Sequence, residues 1–134
     1  LSLAKYLFIT ADETNKISTH NESEFYQYML ERINLKRDLH FQTNTSIDTL
    51  DYSGTGLNSG SKLVVAAYGE KIRELSTSVN ASLNEIKTFY NPQIALPGVL
   101  VLQGNKFESY EKAKQEFENL NNEIKQKNID LKGI

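Results

Sequence analysis

Within its first forty-three residues the chain places an apolar extended run, a helical stripe and a second extended run in that order, and this succession restricts the fold class more than any other feature. Tyr6 to Thr10 reads Tyr-Leu-Phe-Ile-Thr, apolar and partly β-branched without alternation, the pattern of a strand buried on both faces. After a polar loop from Ala11 to His20, Asn21-Glu22-Ser23-Glu24 sets an N-cap residue three positions before a glutamate, the spacing of a capping box. Phe25, Tyr28, Met29 and Ile33 then recur at helical intervals, which predicts a helix over 22–34. Leu39-His40-Phe41-Gln42-Thr43 alternates and predicts a second strand. Strand, helix and strand together form a βαβ unit, for which a right-handed crossover is expected.

Further along, Leu63-Val64-Val65-Ala66-Ala67 predicts a third strand, and Leu83 to Tyr90 a weak helical segment. Pro97 to Gly104 is the clearest strand signal, with proline at its entry, where a missing N–H is tolerated. Tyr110, Ala113, Phe117, Leu120 and Ile124 form an apolar stripe with charged residues around it, which predicts an amphipathic helix over 109–127. The stripe covers barely two heptads, so a helix packed on a sheet is favoured over a coiled coil. The expected fold is therefore α/β: one domain over 1–134, with a small mixed or mostly parallel sheet flanked by helices. The chain opens on Leu1 almost directly into a strand, and Ile129 to Ile134 stops where an α/β unit would enter its next strand. Both ends read as those of a partial domain.

A content of 39% apolar and 24% charged residues is that of an ordinary globular domain. A net charge of -2 supplies no basic field for nucleic acid, and Lys112, Lys114, Lys125 and Lys127 alternate with glutamates as on a solvated helix face. The absence of cysteine excludes disulfides, thiolate zinc sites and cysteine nucleophiles. No run approaches the roughly 18 apolar residues of a membrane span, and no signal peptide is visible, so the default location is cytoplasmic.

Few side chains suggest chemistry. His20 and His40 lie in different elements without metal-like spacing, and read as one loop and one strand histidine. Asp48 and Asp51, beside Tyr52, could serve acid–base or metal chemistry but read better as turn caps. The stretch Ser53-Gly54-Thr55-Gly56-Leu57-Asn58-Ser59-Gly60-Ser61-Lys62 stands out, because it holds three of the seven glycines and ends on a lysine. Glycines let backbone amides approach an anion, and a terminal lysine supplies a point charge for phosphate. It is not a Walker A motif: Ser61 separates Gly60 from Lys62, and Leu63 follows. By spacing alone a plain surface loop and a phosphate site are equally supported. Lys71 is expected to be an exposed lysine without a role.

The segments LSLAKYLFIT, RDLHFQTNTSIDTLDYSG, LNSGSK, GEKIREL and PGVLVLQG, in this order, resemble the C-terminal region of UbiD-family decarboxylases, in particular the menaquinone-biosynthesis and polyprenyl-hydroxybenzoate group. They cover most of positions 1–104, and the string IDTLDYSG followed by GSK is the most specific part. The resemblance implies a larger enzyme that decarboxylates an aromatic or α,β-unsaturated acid using prenylated FMN, a divalent metal (Mn or Mg) and potassium. It places the acid–base groups and metal ligands in upstream domains of the same chain, and implies a homo-oligomer. What carries over to this chain is the G-S-K motif: Lys62 is expected at the cofactor phosphate, with Gly60 and Ser61 shaping the turn. No catalytic residue and no metal ligand of the family is matched here, and the fragment alone is expected to be inactive and to bind no cofactor. The competing reading is a free-standing α/β interaction or regulatory module. A flavodoxin-like nucleotide-binding domain is disfavoured, because Thr10-Ala11-Asp12-Glu13 offers no glycine-rich turn after the first strand.

Overall fold

The capping signal at Asn21 starts the first helix, α1 (Glu22–Arg32). The Asn21 side chain accepts the otherwise orphaned Glu24 N–H at 3.3 Å, and its amide donates to the Glu24 carboxylate at 3.1 Å, while the Asn21 N–H goes to the Ser18 carbonyl rather than to Glu24 as in a full capping box. The computed structural model describes residues 4–13, 17–45 and 59–134. They fall into two compact units, Leu1–Arg73 and Glu74–Ile134.

In the first unit, β1 (Tyr6–Thr10), β2 (Leu39–Thr45) and β3 (Gly60–Ala67) form a sheet in the order β1-β3-β2. The central strand pairs parallel with β1, Tyr6 opposite Leu63, and antiparallel with β2, His40 opposite Val64. The sheet is thus mixed, one of the two expected forms. The βαβ expectation needs correction in one respect. β1, α1 and β2 do follow one another, but β1 and β2 run in opposite directions and do not pair, so the handedness rule for parallel crossovers does not apply to them.

One apolar face of this sheet packs under α1. Met29, Ile33, Val65 and Ala67 are buried, with Phe8, Phe25, Tyr26, Leu30, Leu39 and Leu63 against them. Each large aliphatic side chain of this kind contributes about 1.5–3 kcal/mol when fully buried. The alternate residues Leu7 and Ile9 lie outside that core and remain 49% and 46% exposed. The expectation that β1 is buried on both faces is therefore overturned, since α1 packs over a single face.

The exit of α1 is fastened by buried acids. Asp38, only 1% exposed, accepts the Asn34 N–H at 2.8 Å and an Arg37 guanidinium bond, while its own N–H reaches the Asn34 carbonyl at 2.8 Å. The Arg37 guanidinium holds the Asp38 carboxyl below its ordinary range against burial, which would raise it. Arg73 caps the helix by donating to the carbonyls of Leu30 at 2.7 Å and Ile33 at 2.6 Å, where the helix dipole favours a cation.

The second unit holds a 3₁₀ turn (Ala81–Glu85), a hairpin of β4 (Tyr90–Leu96) and β5 (Val99–Gln103), and α2 (Tyr110–Gln126). Pro97 and Gly98 form the hairpin turn, and Gly98 has φ +77°, a conformation that disfavours side chains. Sequence patterning misses β4, places Pro97 at a strand entry rather than a turn, and extends a helix over what is a single 3₁₀ turn. Asn91 at φ 54° and Pro92 interrupt the alternation of β4, which explains why its period is illegible. Leu83, Ile86 and Ile129 are buried with Val79, Phe89, Leu100, Leu102, Leu120 and Ile124 around them. The stripe of α2 is only partly used: Leu120 and Ile124 pack, whereas Tyr110 is 84% and Phe117 59% exposed. After α2, Ile129 is buried and the Gly133 carbonyl accepts the Ser76 N–H at 2.8 Å, which ties this segment into the second unit. Among the described residues no helix is long and apolar enough to cross a membrane.

Candidate functional site

Two strands that run parallel begin at the same end of a sheet, and here that end gathers the predicted G-S-K residues. The structure places all three in β3, which begins at Gly60 rather than at Leu63, so the loop expected to end at Lys62 ends before Gly60. Antiparallel pairing with β2 explains the earlier start: Thr45 stands opposite Gly60 and Gln42 opposite Lys62, while the register with β1 begins at Leu63, whose N–H donates to the Lys5 carbonyl at 3.0 Å. Gly60 is buried, Ser61 is exposed and Lys62 lies between these extremes. Ser59, just before the strand, is exposed. Gly54 and Gly56 lie outside the described residues, as do Asp48, Asp51 and Tyr52.

Lys62 extends its ammonium to the Ala4 carbonyl at 3.0 Å. From the neighbouring strand, Lys5 sends its own ammonium to the Ser61 hydroxyl at 3.1 Å. Both contacts lie where β1 and β3 begin, and because Ser61 and Lys62 are successive strand residues their side chains leave opposite faces of the sheet. Ammonium groups donate and cannot accept, and a hydroxyl can do either. An ammonium such as that of Lys62 can meet a phosphate oxygen and cannot ligate a metal cation. Among the described residues Lys62 thus has the chemistry for a phosphate rather than for a metal ion.

The contact of Lys5 with Ser61 is not legible from the sequence. Lys5 precedes an apolar run as any lysine might, and only the strand order, with β1 beside β3, carries it to Ser61. Lys71 is exposed as expected but not without a role: its ammonium pairs with the Glu31 carboxylate at 3.1 Å. Burial alone would raise Glu31, yet the Gln27 amide and the Lys71 and Arg32 cations together hold its carboxyl below the ordinary value. That cluster anchors the end of α1, since the Glu31 carbonyl also accepts the Ile72 N–H at 2.9 Å. His20 lies in a turn and His40 on β2, both exposed, and the structure does not bring either to Lys62. Among the described residues no group of three histidine, aspartate or glutamate side chains is placed to hold a metal ion.

Residues 1–67, half of the chain, match the family described as the 3-octaprenyl-4-hydroxybenzoate carboxy-lyase C-terminal domain. A protein of Chlamydia pneumoniae, named as a subunit of 4-hydroxybenzoate decarboxylase, is 40% identical over 75 residues, 56% of this chain and 12% of its own length. Uncharacterized proteins of Chlamydia trachomatis and Chlamydia caviae are 41% identical over 75 residues and 36% identical over 103 residues. These stretches cover 56% and 77% of this chain, and 12% and 17% of the relatives. The chain thus spans less than a fifth of the length of the curated relatives it matches.

Proposed function

The chain belongs to the 3-octaprenyl-4-hydroxybenzoate carboxy-lyase C-terminal domain family, and on that premise we propose that it is the C-terminal part of a non-oxidative decarboxylase acting on an aromatic, quinone-precursor acid. In this reading Lys62 binds the phosphate of prenylated FMN, with Gly60 and Ser61 forming the strand start that presents it. What supports the reading is the family match over residues 1–67, a stretch that includes Gly60, Ser61 and Lys62 at the start of β3. When bound, the prenylated flavin supplies the electron sink for loss of carbon dioxide.

The role of this chain's residues is positional. Phosphate held at one end of a sheet whose core is fixed by Met29, Ile33, Val65 and Ala67 gives the cofactor a rigid anchor, and rigid anchoring lowers the entropic cost of aligning the reacting ring. The acid–base groups, the divalent metal and the potassium ion belong to upstream domains of the same polypeptide, which assembles as a cytoplasmic homo-oligomer. The 134-residue chain by itself neither decarboxylates nor retains cofactor.

The test compares the full-length polypeptide with the isolated chain, each reconstituted with prenylated FMN, manganese and potassium and offered 4-hydroxybenzoate-type acids. Carbon dioxide release by the full-length protein alone is the expected result. Turnover by the 134-residue chain, or none by the full-length protein across a panel of such acids, would overturn the proposal.

A further inference from the structure

We propose that the open face at the start of α2 is an interface between two copies of this chain, in which the helices lie antiparallel about a two-fold axis at Ala113 and each Tyr110 ring enters a socket on the other copy. The surface deepens the proposed function by locating a contact of its homo-oligomer, and it lies outside residues 1–67, the stretch matched to the family.

The apolar stripe of α2 divides into two halves. Leu120 and Ile124 pack in the core of the second unit, whereas Tyr110 and Phe117 stay mostly exposed, and Phe107, just before the helix, is 62% exposed. The three rings are contiguous. Phe107 meets Tyr110 edge-on with centroids 5.4 Å apart, and Phe107 and Phe117 line one cavity together with Phe89 and Ala113. An aromatic side chain covers about 150–250 Å², so three that remain more than half exposed leave roughly 300–450 Å² of apolar surface, the size of patch that marks an interaction site.

The cavity holds about 120 Å³, close to the roughly 150 Å³ apolar cavity that accepts a benzene ring. Tyr110 stands beside it as the most exposed ring of the stripe, the knob that such a socket takes. Ala113, the smallest side chain of the stripe, lets two helices approach closely. A two-fold contact is self-complementary: residue i meets j, and j meets i. With the axis at Ala113, each Tyr110 lies opposite the turn of the other helix that carries Ala113 and Phe117. Glu111 and Lys114, both exposed, then lie beside each other across the axis, opposite in sign on either side. Lys106, Lys112 and Lys114 around the patch are offset by Glu108, Glu111, Glu116 and Glu118, whereas a face for an anionic membrane carries cations in excess.

The test is sedimentation of the full-length polypeptide over a concentration series. Tyr110→Glu should raise the dissociation constant of one contact in the assembly at least about tenfold, with helix content by circular dichroism unchanged. Glu111→Lys and Lys114→Glu should each weaken association by setting like charges opposite, and the double exchange should restore it. The charge exchange decides the matter even where Tyr110→Glu loses helix content.

Assembly unchanged in Tyr110→Glu would overturn the proposal, as would a double exchange that fails to recover association. Wild-type binding to anionic phospholipid vesicles that Tyr110→Glu abolishes while assembly persists would give the face to a membrane instead, and overturns it too. Carbon dioxide release by the same samples is read separately, so the interface and the decarboxylase reading can each fail alone.

Discussion

The backbone N–H of Thr88 donates to the carboxylate of Glu123 at 2.9 Å, tying the segment after the 3₁₀ turn to the last turns of α2. The Lys87 N–H joins it at 3.1 Å, and Lys127 places its ammonium 3.1 Å away. Glu123 is therefore an acid fastener inside the second unit. The Thr88 N–H foremost, then its hydroxyl, the Lys87 N–H and Lys127, lower its carboxyl from 4.5 to about 2, against the partial burial that would raise it.

A group depressed in the folded state stabilises above its unfolded pKa and loses that contribution as pH falls through the folded one. The second unit should accordingly weaken between pH 4.5 and about 2. Glu123→Gln should cost about 1–3 kcal/mol at neutral pH and flatten the acid dependence across that window. Denaturant midpoints measured along a pH series will show both effects. An unaltered acid slope in the variant would assign the stability loss to other carboxylates.

Gly98→Ala should destabilise the hairpin by about 1–2 kcal/mol, because a side chain at φ +77° is strained and its Cβ would meet Leu75 Cδ2 at 2.8 Å. The Gly98 N–H also donates to the Ser76 carbonyl at 2.9 Å, so a shift to relieve the clash disturbs that bond. A thermal melt separates the outcomes: a lowered midpoint is expected, and an unchanged or raised one would show that the turn tolerates a side chain.

Much of the fold is legible in the amino-acid sequence, and the reasons differ element by element. The helix start at Asn21 is readable because capping is local chemistry, and its side chain accepts an N–H three residues on; Ser109 caps α2 in the same way, but that start is read from the apolar stripe. The mixed α/β character follows from period alone. Strand order does not, because β3 inserts between β1 and β2 through contacts that no short window contains. The same limit hides the contact of Lys5 with Ser61. Lys62, Ser61 and Gly60 stand out by residue type, but their position in a strand depends on pairing with β2, across which Gln42 faces Lys62 and Thr45 faces Gly60. β4 is hidden by Asn91 and Pro92, which break its alternation.

β1 occupies an edge of its sheet, and its Leu7 and Ile9 remain about half exposed. Exposed apolar edges recruit other chains. The isolated chain should self-associate with rising concentration, and Leu7→Lys should reduce that tendency by placing a charge on the edge. Sedimentation at graded concentrations checks it, and a clean monomer throughout would contradict the edge as the route.

Cofactor retention tests the proposed role of Lys62 most directly. Full-length wild type and Lys62→Gln are each loaded with prenylated FMN, passed through gel filtration, and read for flavin per polypeptide by absorbance. Lys36→Gln, an exposed lysine in the turn after α1, serves as the control in place of Lys71, which Glu31 engages. Loss of one charge-assisted contact, about 1.5–3 kcal/mol, corresponds to a one- to two-decade fall in affinity. The expected result is depleted flavin in Lys62→Gln with full occupancy in Lys36→Gln; equal occupancy in Lys62→Gln and wild type would contradict the phosphate assignment.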